Sequence, residues 1–260
     1  MKLRTLFTFA ASALMLFVFA MQSVHAGDKI TIAAAADLKF ALDEIVVLFN
    51  KVHPADQVET IYGSSGKFHT QIQQGAPFDL YFSADIAYPR ALKTEGLTAS
   101  EAQLYAVGRI VLWSASRDAS KMTLADLADP TLQKVAIANP KHAPYGKRAE
   151  EALRAAGVWD KVEPKLIYGE NVAQTAQFVQ SGNAQVGIVA LSLALSPELA
   201  KQGGYALIHD KLHQPLEQGF IITKRAADNL LAREFANFMA SKDARAIMTR
   251  YGFVLPNESK

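Results

Sequence analysis

The segment Ser64-Ser65-Gly66-Lys67 has the residue types of an anion site. It ends in the Gly-Lys of a nucleotide phosphate loop, but Ile61 stands where that loop begins on glycine. Phe68 stands where it needs a magnesium-binding hydroxyl, so a nucleotide is not expected. What remains is a serine- and glycine-rich helix start, whose free backbone N–H groups and hydroxyls suit an anion. Two serines that merely cap the helix are the competing reading. His209 and His213 have the spacing of paired metal ligands on a helix, yet they lie between Gly203-Gly204 and Pro215 with no further ligand nearby. A solvated loop without metal is expected there. Neither a Gly-x-Ser-x-Gly elbow nor a His-Glu-x-x-His motif occurs, and carboxylates are scattered singly, so nothing in the sequence supports an enzyme.

The elements that would position such groups follow one grammar. Residues 29 to 36 read as a buried strand, and 38 to 50 as a helix with Leu38, Ala41, Leu42, Ile45, Val46 and Phe49 on one face. Residues 57 to 62 and 79 to 82 are further strands, each emptying through a polar or glycine turn into a helix, at 67 to 74 and 88 to 93. The alternation continues with strands at 109 to 113, 134 to 138, 165 to 168 and 186 to 191. Helices are expected at 123 to 127, 145 to 156 and 172 to 181. A strand at 219 to 223 and helices at 230 to 239 and 244 to 251 close the chain. Repeated strand-to-helix units predict a parallel α/β sheet, and the turns at 36 to 38, 63 to 67, 139 to 146 and 169 to 172 fall where such sheets hold ligands. No low-complexity linker divides the chain, so two lobes would have to be joined by crossing strands.

Met1-Lys2-Leu3-Arg4, an apolar run over residues 6 to 21, and Val24-His25-Ala26 before Gly27 read as a secretory signal peptide cleaved near Ala26. Removing Lys2 and Arg4 from 27 basic residues leaves 25, equal to the 25 acidic ones, so the mature chain is formally neutral. No Lys/Arg run suggests nucleic acid, and any bound anion must be held by local dipoles. The chain has no cysteine, which excludes disulfides and the acylated thiol of a lipoprotein. An exported, unanchored product in a bacterial periplasm is the expectation.

Seven segments in this order resemble the periplasmic molybdate-binding proteins of ABC importers, the ModA family. They are Ala35-Ala36-Asp37-Leu38, Gly63-Ser64-Ser65-Gly66, GAPFDLYFSAD at 75 to 85, NPKHAPYG at 139 to 146, GENVAQT at 169 to 175, VGIVA at 186 to 190 and RYGF at 250 to 253. The resemblance implies a two-lobe periplasmic binding protein of type II, with parallel-core sheets joined by crossing strands. Residues 27–109 plus 219–260 would form lobe 1, and 110–218 lobe 2. It also implies capture of molybdate or tungstate without a cofactor, by a monomer that delivers the anion to a permease driven by a cytoplasmic ATPase.

Carried over residue by residue, the resemblance makes Ser65 a hydroxyl and N–H donor beside Ser64. Tyr145 would give its N–H, with its phenol in reach, and Val172 a further N–H at a helix start. Two positions depart: Asp37 stands where a serine often donates, and Ala190 where many members have a tyrosine, with Ser192 next to it as a substitute donor. A carboxylate about 4 Å from a dianion costs roughly 1 to 4 kcal/mol per unit charge at intermediate dielectric. Three accounts of Asp37 compete: it caps the helix, Lys39 or Lys67 neutralises it, or it takes a proton from a protonated oxyanion or helps to hold a cation. The same fold binding a different solute is therefore the alternative, and an oxyanion-modifying or metal-dependent enzyme the least favoured reading.

Overall fold

The computed structural model describes residues 27–256, and the expected signal peptide with its cleavage position lies outside the described residues. Two five-stranded sheets carry the molecule. The first is built from β1 (Lys29–Ala35), β2 (Gln57–Gly63), β3 (Leu80–Ser83), β4 (Gln103–Gly108) and β10 (Leu216–Ile222), in the order β2-β1-β3-β10-β4. The second is built from β5 (Ile110–Ser114), β6 (Val135–Ala138), β7 (Leu166–Gly169), β8 (Val186–Ala190) and β9 (Gly204–Leu207), in the order β7-β6-β8-β5-β9. Helices α1 (Lys39–Val52), α2 (Ser65–Gln73), α3 (Ala87–Thr94), α8 (Leu230–Phe238) and α9 (Lys242–Arg250) flank the first sheet. The second is flanked by α4 (Pro144–Ala155), α5 (Trp159–Val162), α6 (Val172–Gln180) and α7 (Leu191–Ala194).

The expected parallel core is present in both sheets. β1 runs parallel to β2 and β3, and β6 parallel to β7 and β8. Antiparallel strands complete each sheet: β10 lies between β3 and β4, and β5 between β8 and β9. The chain passes between sheets where β4 gives way to β5 at Arg109, and returns between β9 and β10. β4 and β9 escaped the sequence reading because both are edge strands with part of their surface in water, which removes the apolar run that marks a buried strand. β10 begins at Leu216, three residues before the expected start, and its pairing with β4 shifts between Gln218 and Gly219.

Apolar periodicity accounts for the helices. In α1 the residues Ala41, Leu42, Ile45 and Phe49 are buried on one face, and Phe49 meets Phe235 of α8 edge-on with ring centres 5.0 Å apart. A second core gathers Val111, Trp113, Ile137, Leu153 and Ile188. Ala35, Ala36 and Ala84, from the ends of first-sheet strands, belong to that second core, so the two lobes are in apolar contact. Register then fixes where the turns go. Ala35 lies opposite Gly63, and Ala138 opposite Gly169, so in each sheet two neighbouring strands end level and their following turns sit side by side.

His209 and His213 flank a single 3-10 turn, where His209 Nδ1 accepts from the Lys211 N–H at 3.1 Å. That is a local turn contact, as the loop reading expects.

Candidate functional site

The paired strand ends of the two sheets face each other across one small cavity. Ala35, Ala36, Asp37, Gly63, Ser64, Ser65 and Ala84 line it from one side, and Ala143, Pro144, Tyr145, Asn171 and Val172 from the other. Its volume for a water-sized body is about 10 Å³, far below the roughly 300–1,000 Å³ of pockets for drug-sized ligands, so only a compact solute suits it.

Three helices start at this cavity. α2 has Ser64 at its cap position and α4 has Ala143, and in neither does a side chain satisfy the first-turn N–H groups. α6 is capped by Asn171, whose side chain accepts from the Gln174 N–H at 3.0 Å and leaves Val172 at the first helical position. α8 and α9, remote from the cavity, are capped by the side chains of Asn229 and Ser241. The N–H groups of Ser65, Tyr145 and Val172 thus stand where a helix offers no carbonyl, and their converging dipoles favour negative charge. Ser65 Oγ accepts from the Ala84 N–H at 3.0 Å, which leaves its own proton free to donate.

Asp37 is 1 % exposed. Its Oδ2 accepts from the Tyr145 hydroxyl at 3.0 Å and from Gln218 Nε2 at 2.8 Å, and its Oδ1 has no hydrogen-bond partner. Gln218 Nε2 also donates to the Tyr145 oxygen at 3.0 Å, and the Tyr105 hydroxyl donates to Gln218 Oε1 at 2.7 Å, which fixes the amide orientation. Burial pushes the Asp37 carboxyl up from 3.8 to about 6, with the bonds from Gln218 and Tyr145 pulling the other way. Gly108 makes room for this cluster, since a Cβ there would collide with the Tyr145 hydroxyl and the Gln218 amide.

Two of the three accounts of Asp37 fail on this geometry. Neither the 3-10 turn at Ala36–Leu38 nor α1 has a side-chain cap, so Asp37 is not a helix cap. Lys39 binds Asp43 at 3.0 Å and Lys67 binds Glu170, so neither lysine neutralises it. The Tyr145 phenol is committed to Asp37 and Gln218, leaving the tyrosine its N–H alone for a ligand. Ala190 does not line the cavity: it ends β8, fully buried opposite Ile110. Ser192 does not compensate, because its hydroxyl donates to the Asp37 carbonyl at 2.7 Å.

Sequence reasoning missed Gln218, Tyr105 and His142. His142 ties the start of α2 to the turn before α4, its carbonyl accepting from the Gly66 N–H at 2.9 Å and from Ser64 Oγ at 2.5 Å, while its Nδ1 lies 2.9 Å from the same Oγ. With Glu170 3.8 Å from Nε2, the trio has the residue types of a hydrolytic triad. The protons run the wrong way for one. A carbonyl only accepts, so the Ser64 proton points at it and Nδ1–H must donate to Oγ, which leaves no base facing the serine. Burial also lowers the His142 basicity, with Lys67 adding to this and Glu170 opposing it. Two ion pairs span the lobes, Lys67 with Glu170 and Arg148 with Asp85 at 3.6 Å.

Residues 30–254 match the family of bacterial extracellular solute-binding proteins. The chain is 36% identical over 246 residues to the molybdate-binding protein ModA of Rhodobacter capsulatus, covering 94% of this chain and 95% of that one. It is 33% identical over 228 residues to the ModA of Azotobacter vinelandii, covering 87% and 90%. The solved periplasmic molybdate-binding protein of Azotobacter vinelandii superposes with a TM-score of 0.83 at 30% identity, over 88% of this chain and all of that one. The chain belongs to the bacterial extracellular solute-binding proteins and, within them, to the ModA group.

Proposed function

We propose that this protein captures molybdate, or its congener tungstate, in the periplasm and delivers it to an ABC permease driven by a cytoplasmic ATPase. The observation that carries the reading is the convergence of three helix starts, α2, α4 and α6, with the Ser65 hydroxyl on one small cavity. Among the described residues no lysine or arginine lines it, so the donors are dipoles, which suit a small oxyanion in a chain with no net charge to spare. Ser65, Tyr145 and Val172 supply N–H groups and Ser65 its hydroxyl, with Ser64 holding the turn in place. Residues 27–109 plus 216–260 act as one rigid lobe, three residues more than expected because β10 starts at Leu216, and 110–215 as the other, closing over the anion as a monomer, and only the closed form engages the permease. The chain carries out no covalent step, needs no resident cofactor and is released from the membrane by cleavage near Ala26.

Because Asp37 stands in the cavity wall, a protonated oxyanion is the second reading. Thermal melting with molybdate, tungstate, sulfate, phosphate, and ferric or divalent cations separates them, since a ligand of the folded state raises the melting temperature. A rise with molybdate and tungstate is expected. No rise with molybdate at saturating concentration, alongside a rise with phosphate, would replace the named solute and keep the fold.

A further inference from the structure

The cavity wall holds a carboxyl with one free face. Oδ2 of Asp37 already accepts two hydrogen bonds, from Tyr145 and Gln218, while Oδ1 is buried, unpartnered and carried by a residue that lines the cavity. An ionised oxygen at that position would oppose any anion held by the Ser65, Tyr145 and Val172 N–H groups. A neutral carboxyl presents there an O–H donor, which is what an oxyanion needs, and Oδ2 is then the carbonyl oxygen that the two donors already address. We propose that Asp37 couples oxyanion capture to uptake of one proton, binding the anion as the neutral acid and donating to it from Oδ1. This rests on the oxyanion reading above and adds its regulation: affinity falls as the medium becomes alkaline.

The surroundings allow the neutral form. The titratable groups facing Asp37 are the phenols of Tyr145 on α4 and Tyr105 on β4, both uncharged near neutrality because burial raises them further. Its remaining neighbours, Gln218 on β10 and Ser192 on α7, are neutral. Lys39, at the start of the following helix α1, is paired with Asp43, Lys67 of α2 with Glu170, and His142 is bound to Ser64, so none of these three stabilises the carboxylate. Burial pushes the Asp37 carboxyl up to about 6, which agrees with this geometry. The proton comes from solvent, stays on Asp37 and leaves with the ligand, so no bond of the anion is made or broken.

The test is isothermal titration of the full chain with sodium molybdate from pH 6 to 8.5, in buffers of different ionisation enthalpy, which counts protons taken up per anion. Close to one proton is expected above pH 7, with Kd rising about tenfold per pH unit above pH 6, so about a hundredfold by pH 8. Asp37→Asn, whose amide offers a permanent N–H donor in place of Oδ1, should bind molybdate more tightly than the parent at pH 8, with no proton uptake and a flat Kd. Molybdate binding by the parent with no proton uptake and a flat Kd overturns the inference and spares the oxyanion reading. Weaker binding by Asp37→Asn at every pH puts the proton on the ligand and overturns the assignment to Asp37. No binding of any oxyanion at any pH overturns both. The proton count on the parent protein stands even if the variant fails to fold.

Discussion

Asp37 also leaves a signature in the stability of the empty protein. Its folded-state value, about 6, lies above the ordinary 3.8, so the native state binds this proton more tightly than the unfolded chain. The resulting stabilisation is fully present below about 3.8 and is lost as pH rises through 6, leaving a buried carboxylate at neutrality. That charge costs on the order of 3 kcal/mol, from about two pH units at 1.36 kcal/mol each. Denaturant unfolding of the parent and of Asp37→Asn at pH 7 and pH 5 should show the gap between them shrinking by about 1 kcal/mol at the lower pH. A gap that does not move with pH would mean that Asp37 does not titrate in this range. Such a cost is what a residue kept for ligand chemistry, and not for packing, would show.

At the scale of elements, the site is made from helix starts with little side-chain capping. α2 and α4 leave their first-turn N–H groups without side-chain partners, although a serine stands at the cap position of α2. Ser64 turns its hydroxyl to His142 instead, which costs the helix a cap worth about 1 kcal/mol and leaves donors for a ligand. α6 shows the compromise: Asn171 closes one N–H, that of Gln174, and leaves Val172 open. Asn171→Ala should lower unfolding free energy by about 1 kcal/mol in urea and weaken anion binding only modestly, because the Val172 donor remains. A loss of binding more than tenfold in that variant, with stability unchanged, would mean that the asparagine side chain itself meets the ligand.

For the whole molecule, the lobes meet through buried bonds of Asp37 and Gln218 to Tyr145 and of Ser192 to Asp37, through polar bonds at His142, and through an apolar seam that includes Ala35, Ala36 and Ala84. His142 ties the two lobes at α2, since its carbonyl accepts from Ser64 Oγ and the Gly66 N–H and its ring contacts the same Oγ. Replacing the ring in His142→Ala removes the bond to Ser64 Oγ while the carbonyl bonds remain, so closure should be loosened and not abolished. Small-angle scattering should give a larger radius of gyration for the empty variant than for the empty parent, with molybdate bringing both to the same value. Equal radii in the empty proteins would show that the imidazole does not hold the lobes. The exposed Lys67–Glu170 pair adds little in physiological salt, because solvent and ions screen it.

The strand-to-turn-to-helix grammar, the parallel cores and the positions of the helix starts were legible along the chain, because they depend on local periodicity and on Gly, Ser and Asn at turns. Level strand ends then brought Asp37 beside Ser64 and Ser65, and Tyr145 beside Val172, as those turns implied. The partners of Asp37 were not legible. Tyr145 and Gln218 lie 108 and 181 residues away along the chain, and nothing local in either segment encodes that a phenol and an amide will share one carboxylate oxygen. Edge strands β4 and β9 went unread for a related reason: a strand with one wet side and one sheet partner is defined by the neighbour that it pairs with. The residue types fixed an anion-seeking corner with one carboxyl in its wall. Only tertiary burial decided that this carboxyl keeps one oxygen satisfied and the other free, since desolvation and hydrogen-bond partners are set by what folds around a group.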